Sequence, residues 1–255
     1  MTQQELVSGA QALRRGLRML RLLGQNQQDG VRLSEAVTLS GLERTTTHRL
    51  LQCMVEEQFA EKDEKTKRYR LGIHSMQLGS AAVRKMPLVA RFKPMMQRLA
   101  RMSGDTVFLL VRDGDEVVCL HREEGPYPIK VFTVSVGGRQ LLGAVSGGLA
   151  LLATLDDAEI DENLKRNQAA YERYGLSHSF LWRTVREARR AGHAVIVELV
   201  TPGVAGLAAA VPAALNVQAA VAFGTITQRF TPTRQKELAA LLHNAYADLM
   251  NGQLP

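Results

Sequence analysis

The chain has 255 residues, 45% of them hydrophobic and 22% charged, with a formal net charge of +7. This composition is too apolar for a disordered chain and leaves room for one large or two modest cores. The excess of cations suits a polyanionic partner, although charge alone does not separate nucleic-acid binding from plain solubility.

Residues 1–6 are polar and lack the apolar run of a signal peptide. The longest uncharged stretch, residues 199–228, is interrupted by Pro202, Pro212, Asn216 and Gln218. It reads as buried strands and a turn rather than a membrane span. Cys53 and Cys119 stand far apart with no CxxC spacing. That pattern speaks against a disulfide framework and makes a reducing cytoplasm the default. No GxGxxG, Walker A, HExxH or clustered Cys/His motif occurs, so neither cofactor nor metal is expected.

In chain order, residues 10–23 are helical by spacing, with Leu13, Leu17 and Leu20 on one face and Arg14, Arg18 and Arg21 on another. After a polar loop, Ser34 is expected to cap a short helix over 35–39. Ser40-Gly41-Leu42 forms a turn, and a second helix runs over about 43–57. Residues 59–61 and 68–71 flank a charged tip as a hairpin. A linker helix is expected over 74–84 and another helix over 88–103, despite Pro94. The remainder alternates. Strands are predicted over 106–112 and 117–122, joined by Asp113-Gly114-Asp115, and over 129–136, 195–200, 206–211 and 219–226. Helices are predicted over 146–155, 157–166, 182–191 and 233–250, the last after Thr231-Pro232. The pattern implies an α+β chain of three parts: residues 1–73, a linker over 74–87, and a larger domain over 88–255.

On a helical wheel over 43–54, Thr47, Leu50 and Met54 fall on one side. Arg44, Thr45, His48, Arg49 and Gln52 fall on the other. A DNA-recognition helix needs this division, because it is held from behind while its front enters the major groove. Arg can bond guanine, Gln can pair with adenine, and hydroxyls such as those of Thr45 and Thr46 serve either base or phosphate. Ser34 and Arg49 are candidates for phosphate contacts. Lys62, Lys65, Lys67 and Arg68 at the hairpin would act as a basic wing. Taken alone, a polar helix face or a charged hairpin tip is usually just solvated surface. The order of helix, short helix, turn, polar-faced helix and basic hairpin favours double-stranded operator DNA as the partner.

The segment from Gly41 through Glu43-Arg44-Thr45-Thr46-Thr47-His48-Arg49 to Leu51, followed by Tyr69-Arg70-Leu71-Gly72, resembles the IclR family of bacterial regulators. The resemblance continues through Asp113-Gly114-Asp115-Glu116-Val117-Val118 and Pro202-Gly203-Val204. It implies an N-terminal winged helix-turn-helix, a linker helix, and a C-terminal α/β effector domain similar to GAF or PAS folds. It also implies homodimers, often paired as dimers of dimers. By the same resemblance an effector pocket falls on Ile129, Phe132, Gln140, Ser146, Gly147, Ile196, Val204, Gly206, Ala222 and Gly224.

At several of those positions the family's organic-acid sensors carry polar groups. An acidic position matches Ile196, a cysteine position matches Gly206, and serine positions match Ala222 and Gly224. The side chains here favour a small organic effector with an apolar or aromatic body, each fully buried large side chain contributing about 1.5–3 kcal/mol. Backbone N–H groups near Ser146 and Gly147 open a predicted helix and could hold a carboxylate. Uncharged strands of Ala, Val and Gly are also what plain core looks like.

Two other functions compete. Ala144-Val145-Ser146-Gly147-Gly148 is similar to the GxSxG elbow of hydrolases, with Ala in the first glycine position. His121, His178 or His193 would then be the base, yet a lone Ser before a helix is more often a cap. An architectural DNA-binding protein without an effector would not need so large a C-terminal domain. RNA binding lacks its row of exposed aromatics.

Overall fold

The computed structural model describes residues 9–84 and 87–252. Residues 1–6, read above as polar, and residues 85–86 of the expected linker lie outside the described residues. The chain divides into two compact units, Met1–Met86 and Pro87–Pro255.

The first unit contains α1 (Gln11–Gln25), β1 (Val31–Arg32), α2 (Leu33–Ser40), α3 (Arg44–Glu56), β2 (Ala60–Lys62), β3 (Arg68–Leu71) and α4 (Ile73–Arg84). Met19, Leu22 and Leu23 of α1, Ala36 of α2, and Leu51 and Met54 of α3 meet Val31, Ala60 and Tyr69 in one core. The expected apolar face of α1 is thus corrected: Leu13 and Leu17 are exposed, and the buried stripe lies one step round the helix. Gly41 has φ +65° and ends α2, its N–H bonded to the Val37 carbonyl. Only a residue tolerant of the left-handed region makes this stop cheaply, and it sets the sharp turn between α2 and α3. Ser34 is not the cap of α2. Arg32 occupies that position, and the Glu35 carboxylate accepts the Arg32 N–H at 2.9 Å.

The hairpin is joined by a strand that periodicity did not reveal. Val31 and Arg32 pair antiparallel with Tyr69 and Arg68, making a three-stranded sheet in the order β1-β3-β2. Two residues are too few for an alternating pattern.

The second unit contains α5 (Pro87–Ser103), β4 (Thr106–Asp113), β5 (Glu116–Glu123), β6 (Arg139–Leu141), α6 (Ser146–Leu152), α7 (Asp157–Arg166), α8 (Gln168–Glu172), α9 (His178–Ala191), β7 (Ala194–Val197), β8 (Val204–Ala210), β9 (Ala219–Ile226) and α10 (Pro232–Met250). Its sheet is six-stranded and antiparallel, in the order β6-β5-β4-β9-β8-β7. Alternation along β4 sends Phe108 and Leu110 into a core with α6, α7 and α9. Val107 and Leu109 point the other way and are equally buried, where α5 and α10 pack. Tyr246 of α10 ties that helix to the sheet: its hydroxyl donates to the Ala209 carbonyl and accepts the Val221 N–H.

The strand expected over 129–136 does not form. That segment is a loop in which Val131 and Val134 are buried while Ile129, Phe132 and Val136 are exposed. Backbone pairing to β5 is made instead by β6, through Gln140 opposite Val117. The short elements β6 and α8 are additions to the sequence reading, α6 ends earlier than expected, and α9 begins at His178, capped by the Ser177 hydroxyl.

Candidate DNA interface and effector pocket

On α3, Thr47, Leu51 and Met54 are buried, and Arg44, Thr45, His48, Arg49 and Gln52 are exposed; Thr46 and Leu50 are half-buried. The Thr47 hydroxyl is spent on the Glu43 carbonyl, which fixes it as part of the packed side. Arg44 opens the helix, where a side chain reaches beyond the first turn. Gln52 donates to its helical neighbour Glu56, at 3.3 Å. Ser34 is exposed in the first turn of α2.

The hairpin tip is an ordered turn rather than a loose loop. The Asp63 carboxylate accepts the N–H groups of Lys65 and Thr66 at 2.9 and 2.8 Å. Those bonds hold its pKa below the ordinary carboxylate value, the Thr66 N–H acting most strongly. Lys65 projects from this turn, whereas Lys67 pairs with Glu64 at 2.8 Å. Lys62 leans over the Tyr69 ring.

Arg68 is a correction to the expected wing. Its guanidinium turns inward to the Gly30 carbonyl at 2.8 Å and to Glu35 at 3.2 Å. β1 pairing draws β3 toward the start of α2, and Arg68 is consumed in fastening the two.

In the second unit a cavity of about 70 Å³ lies between α6, the strand ends and two loops. Gln140, Ser146, Gly147, Ile196, Val204, Gly206, Ala222 and Gly224 all line it. Ile129 and Phe132 do not line it, which corrects the set carried by the resemblance. Both are more than half exposed, and the Arg122 guanidinium sits 4.0 Å from the Phe132 ring centroid on the outer side of the loop. Thr133 and Val134 of the same loop, and Phe108 and Leu110 of β4, take their place. The sequence did carry a signal for Phe108 and Leu110: they alternate with Val107 and Leu109, but which face meets α6 depends on strand order.

Glycine shapes the cavity. At Gly224 a Cβ would come within 2.9 Å of the Phe108 ring, and at Gly147 it would run into Leu110. The close approach of α6 to the sheet depends on Gly147, and that of the Val131 loop on Gly224.

Ser146, 7% exposed, begins α6 inside this apolar wall. No histidine lines the cavity. Among the expected bases, His121 pairs with Glu123, His178 with Asp161, and His193 lies beside His243. Among the described residues, Ser146 therefore has no histidine beside it to act as a base. Among the described residues no group of three or more His, Cys, Asp or Glu could hold a metal, and no helix is long and apolar enough to cross a membrane.

Comparison with known proteins agrees with this architecture. Residues 12–64 match the model of the IclR helix-turn-helix domain, and residues 80–250 match that of the bacterial transcriptional regulator IclR C-terminal domain. The HTH-type transcriptional repressor AllR of Klebsiella pneumoniae is 28% identical over 235 residues, covering 89% of this chain and 84% of that protein. An IclR family transcriptional regulator from Brucella abortus has the same fold at TM-score 0.80 and 20% identity, over 100% of this chain and 95% of that one. An IclR homologue from Microbacterium hydrocarbonoxydans, solved with 4-hydroxybenzoate, aligns at TM-score 0.69 and 23% identity, over 93% of this chain and 97% of that one. Such proteins are DNA-binding regulators rather than enzymes, and this chain, with its helix-turn-helix unit followed by an effector domain, belongs to the IclR family of bacterial transcriptional regulators.

Proposed function

We propose that this regulator reads an operator with α3 and Lys65 of the hairpin, and that a small organic molecule in the α6 cavity controls the reading. The observation that carries the first part is the division of α3, with its cationic and hydroxyl-bearing side exposed and Thr47, Leu51 and Met54 buried. Arg44, Thr45, His48, Arg49 and Gln52 meet base edges and phosphates; Thr46 and Ser34 add phosphate contacts at helix starts. Lys67 contributes as its pairing with Glu64 allows. Residues 1–73 serve as the reader, 74–87 as the linker and 88–255 as the sensor.

The working form is a homodimer or a dimer of such dimers in the cytoplasm. The exposure of Leu13 and Leu17 on α1, and of Met76 and Leu78 on α4, supports association, since large apolar side chains so placed gain by being covered. Two recognition helices then reach half-sites related by a two-fold axis. The effector acts by preferring one dimer geometry over another. The target is a catabolic operon.

The effector has an apolar or aromatic body. The related protein with 4-hydroxybenzoate makes an aromatic effector a natural comparison. An aromatic ring occupies a cavity on the order of 150 Å³, about twice the space present here. Binding therefore requires a wall to move, and the walls outside the sheet are the loops at 133–134 and 199–201 and residues 144–147 at the start of α6.

The test is selection of duplexes from a randomised pool by the purified protein, followed by footprinting. An inverted repeat protected on successive major grooves is expected. A protein that enriches no sequence even at low salt overturns the proposal.

A further inference from the structure

A closed ring of hydrogen bonds lies behind the start of α6. The turn 142–145 carries the chain from β6 into α6, and Ala144, Val145, Ser146 and Gly147 line the cavity. Two successive N–H groups of that turn are held from outside it. Leu142 donates to the Asp115 carbonyl at 3.2 Å, and Gly143 donates to the Tyr171 hydroxyl at 3.3 Å. That hydroxyl donates in turn to Asn163 Oδ1 at 2.9 Å, and Asn163 Nδ2 donates to the Asp115 carboxylate at 2.9 Å. The ring so returns to the residue on which it began, and Arg166 fastens Asp115 at 2.8 Å.

Tyr171 and Asn163 are both buried, yet neither lines the cavity. Burial pushes the Tyr171 phenol up to about 12, so it keeps its proton for Asn163. The ring of Tyr171 also leaves no room at Gly143, where a Cβ would stand 3.1 Å from it and 2.6 Å from Leu181. A buried N–H is costly to leave unpaired. Without the Tyr171 hydroxyl the turn gains by shifting toward another acceptor, and the four lining residues move with it. A site held slightly out of place loses affinity. Tyr246 offers the same chemistry on the other face of the sheet, with its hydroxyl donating to the Ala209 carbonyl and accepting the Val221 N–H.

We infer that Tyr171 is a positioning residue for the effector site: its hydroxyl, held between Gly143 and Asn163, fixes the turn that opens α6 and thereby sets effector affinity without touching the effector. This deepens the proposal above and rests on reading the cavity as the effector site.

The experiment is calorimetric titration of the full-length protein with 4-hydroxybenzoate, and with methyl 4-hydroxybenzoate as second probe, alongside hydrogen exchange of residues 142–149 without probe. Tyr171→Phe is expected to weaken probe binding about fivefold, the scale of one lost hydrogen bond, and to speed exchange in that segment. Tyr246→Phe is expected to lower the melting temperature comparably while leaving affinity and exchange at 142–149 as in wild type. Combining Tyr171→Phe with Asn163→Leu spares the Asn163 oxygen from being stranded, since apolar replacement of both partners is far less costly than loss of one. The double variant serves if the single one fails to fold, and its affinity is expected to stay low as its stability returns. Wild-type affinity in Tyr171→Phe, unchanged exchange, or affinity that tracks melting temperature across the three variants makes the ring a plain structural tie. Each of these overturns the inference while leaving the site in place. A probe that binds Gly206→Ala as tightly as wild type lies outside the cavity, and a protein that binds neither probe has no aromatic-effector site there. Either result overturns the reading of the cavity, and the inference falls with it.

Discussion

Ser146 Oγ occupies the space into which a side chain at Gly206 would grow: a Cβ there would stand 2.6 Å from it. The two residues come from α6 and β8, and the hydroxyl of one uses the missing side chain of the other.

Gly206 has no left-handed backbone requirement, so Gly206→Ala acts by crowding alone. Overpacking of this kind costs about 1–3 kcal/mol. The variant should melt earlier than wild type and lose most of the effector-induced rise in melting temperature. Adding Ser146→Ala should restore stability in part. If Gly206→Ala binds effector as wild type does, the cavity is not the site.

Arg44 stands exposed at the first position of α3. Arg44→Ala should weaken operator binding by about 1–3 kcal/mol and relax base preference, with little change on random duplex. Equal losses on both DNAs, measured by anisotropy, would reduce Arg44 to a phosphate contact.

Lys65 and Arg68 should separate cleanly. Lys65→Ala should reduce the slope of log affinity against log salt by about one while leaving base preference intact. Arg68→Ala should instead destabilise the first unit by about 1 kcal/mol, because its bonds to Glu35 and the Gly30 carbonyl are internal and partly exposed. A normal melt for Arg68→Ala combined with a lost salt slope would return Arg68 to the wing.

Asp105, with a side chain only 2% exposed, holds Arg229 and Arg234, each at 2.9 Å, and accepts the Thr225 hydroxyl at 2.8 Å. Removing the carboxylate takes from Arg229 and Arg234 the buried counter-charge they share, leaving them the Ser103 carbonyl and, for Arg234, Glu237. Breaking a buried pair from one side costs about 3–5 kcal/mol. Asp105→Ala should therefore lower the urea midpoint of the second unit sharply, and a shift within error would mean that water reaches the arginines.

Asp115 sits in the β4–β5 turn, and hydrogen bonds from Arg166 do most to hold its pKa near about 2, against an ordinary 3.8. The folded value lies below the unfolded one, so the carboxylate adds stability that is complete above about pH 4. That stability is lost as pH falls through about 2. Asp115→Asn should be less stable than wild type at pH 6 and converge with it toward pH 2. Parallel curves across that window would contradict the assignment.

The sequence by itself determined the helix-turn-helix and the division of α3, because both are local. Gly41 supplies the turn, and helical spacing puts Thr47 and Met54 on one side, although Leu50, expected beside them, is only half-buried and Leu51 takes the buried place. It also determined most strands of the larger sheet, whose apolar runs are bounded by turn residues such as Gly114. Tertiary structure alone decided which residues those elements meet. Leu13 and Leu17 form an apolar stripe, yet the core took Met19, Leu22 and Leu23, because the helix angle is set by α2 and α3. Arg68 looked like wing until β1, too short to show a period, pulled it toward Glu35. Ile129 and Phe132 were expected in the cavity, but the loop turns Val131 and Val134 inward instead. Gly206 and Ser146 are 60 positions apart in the numbering. Their contact is a property of strand order and helix docking, and pairings at that distance are fixed by the packing energy of the whole domain rather than by any local preference.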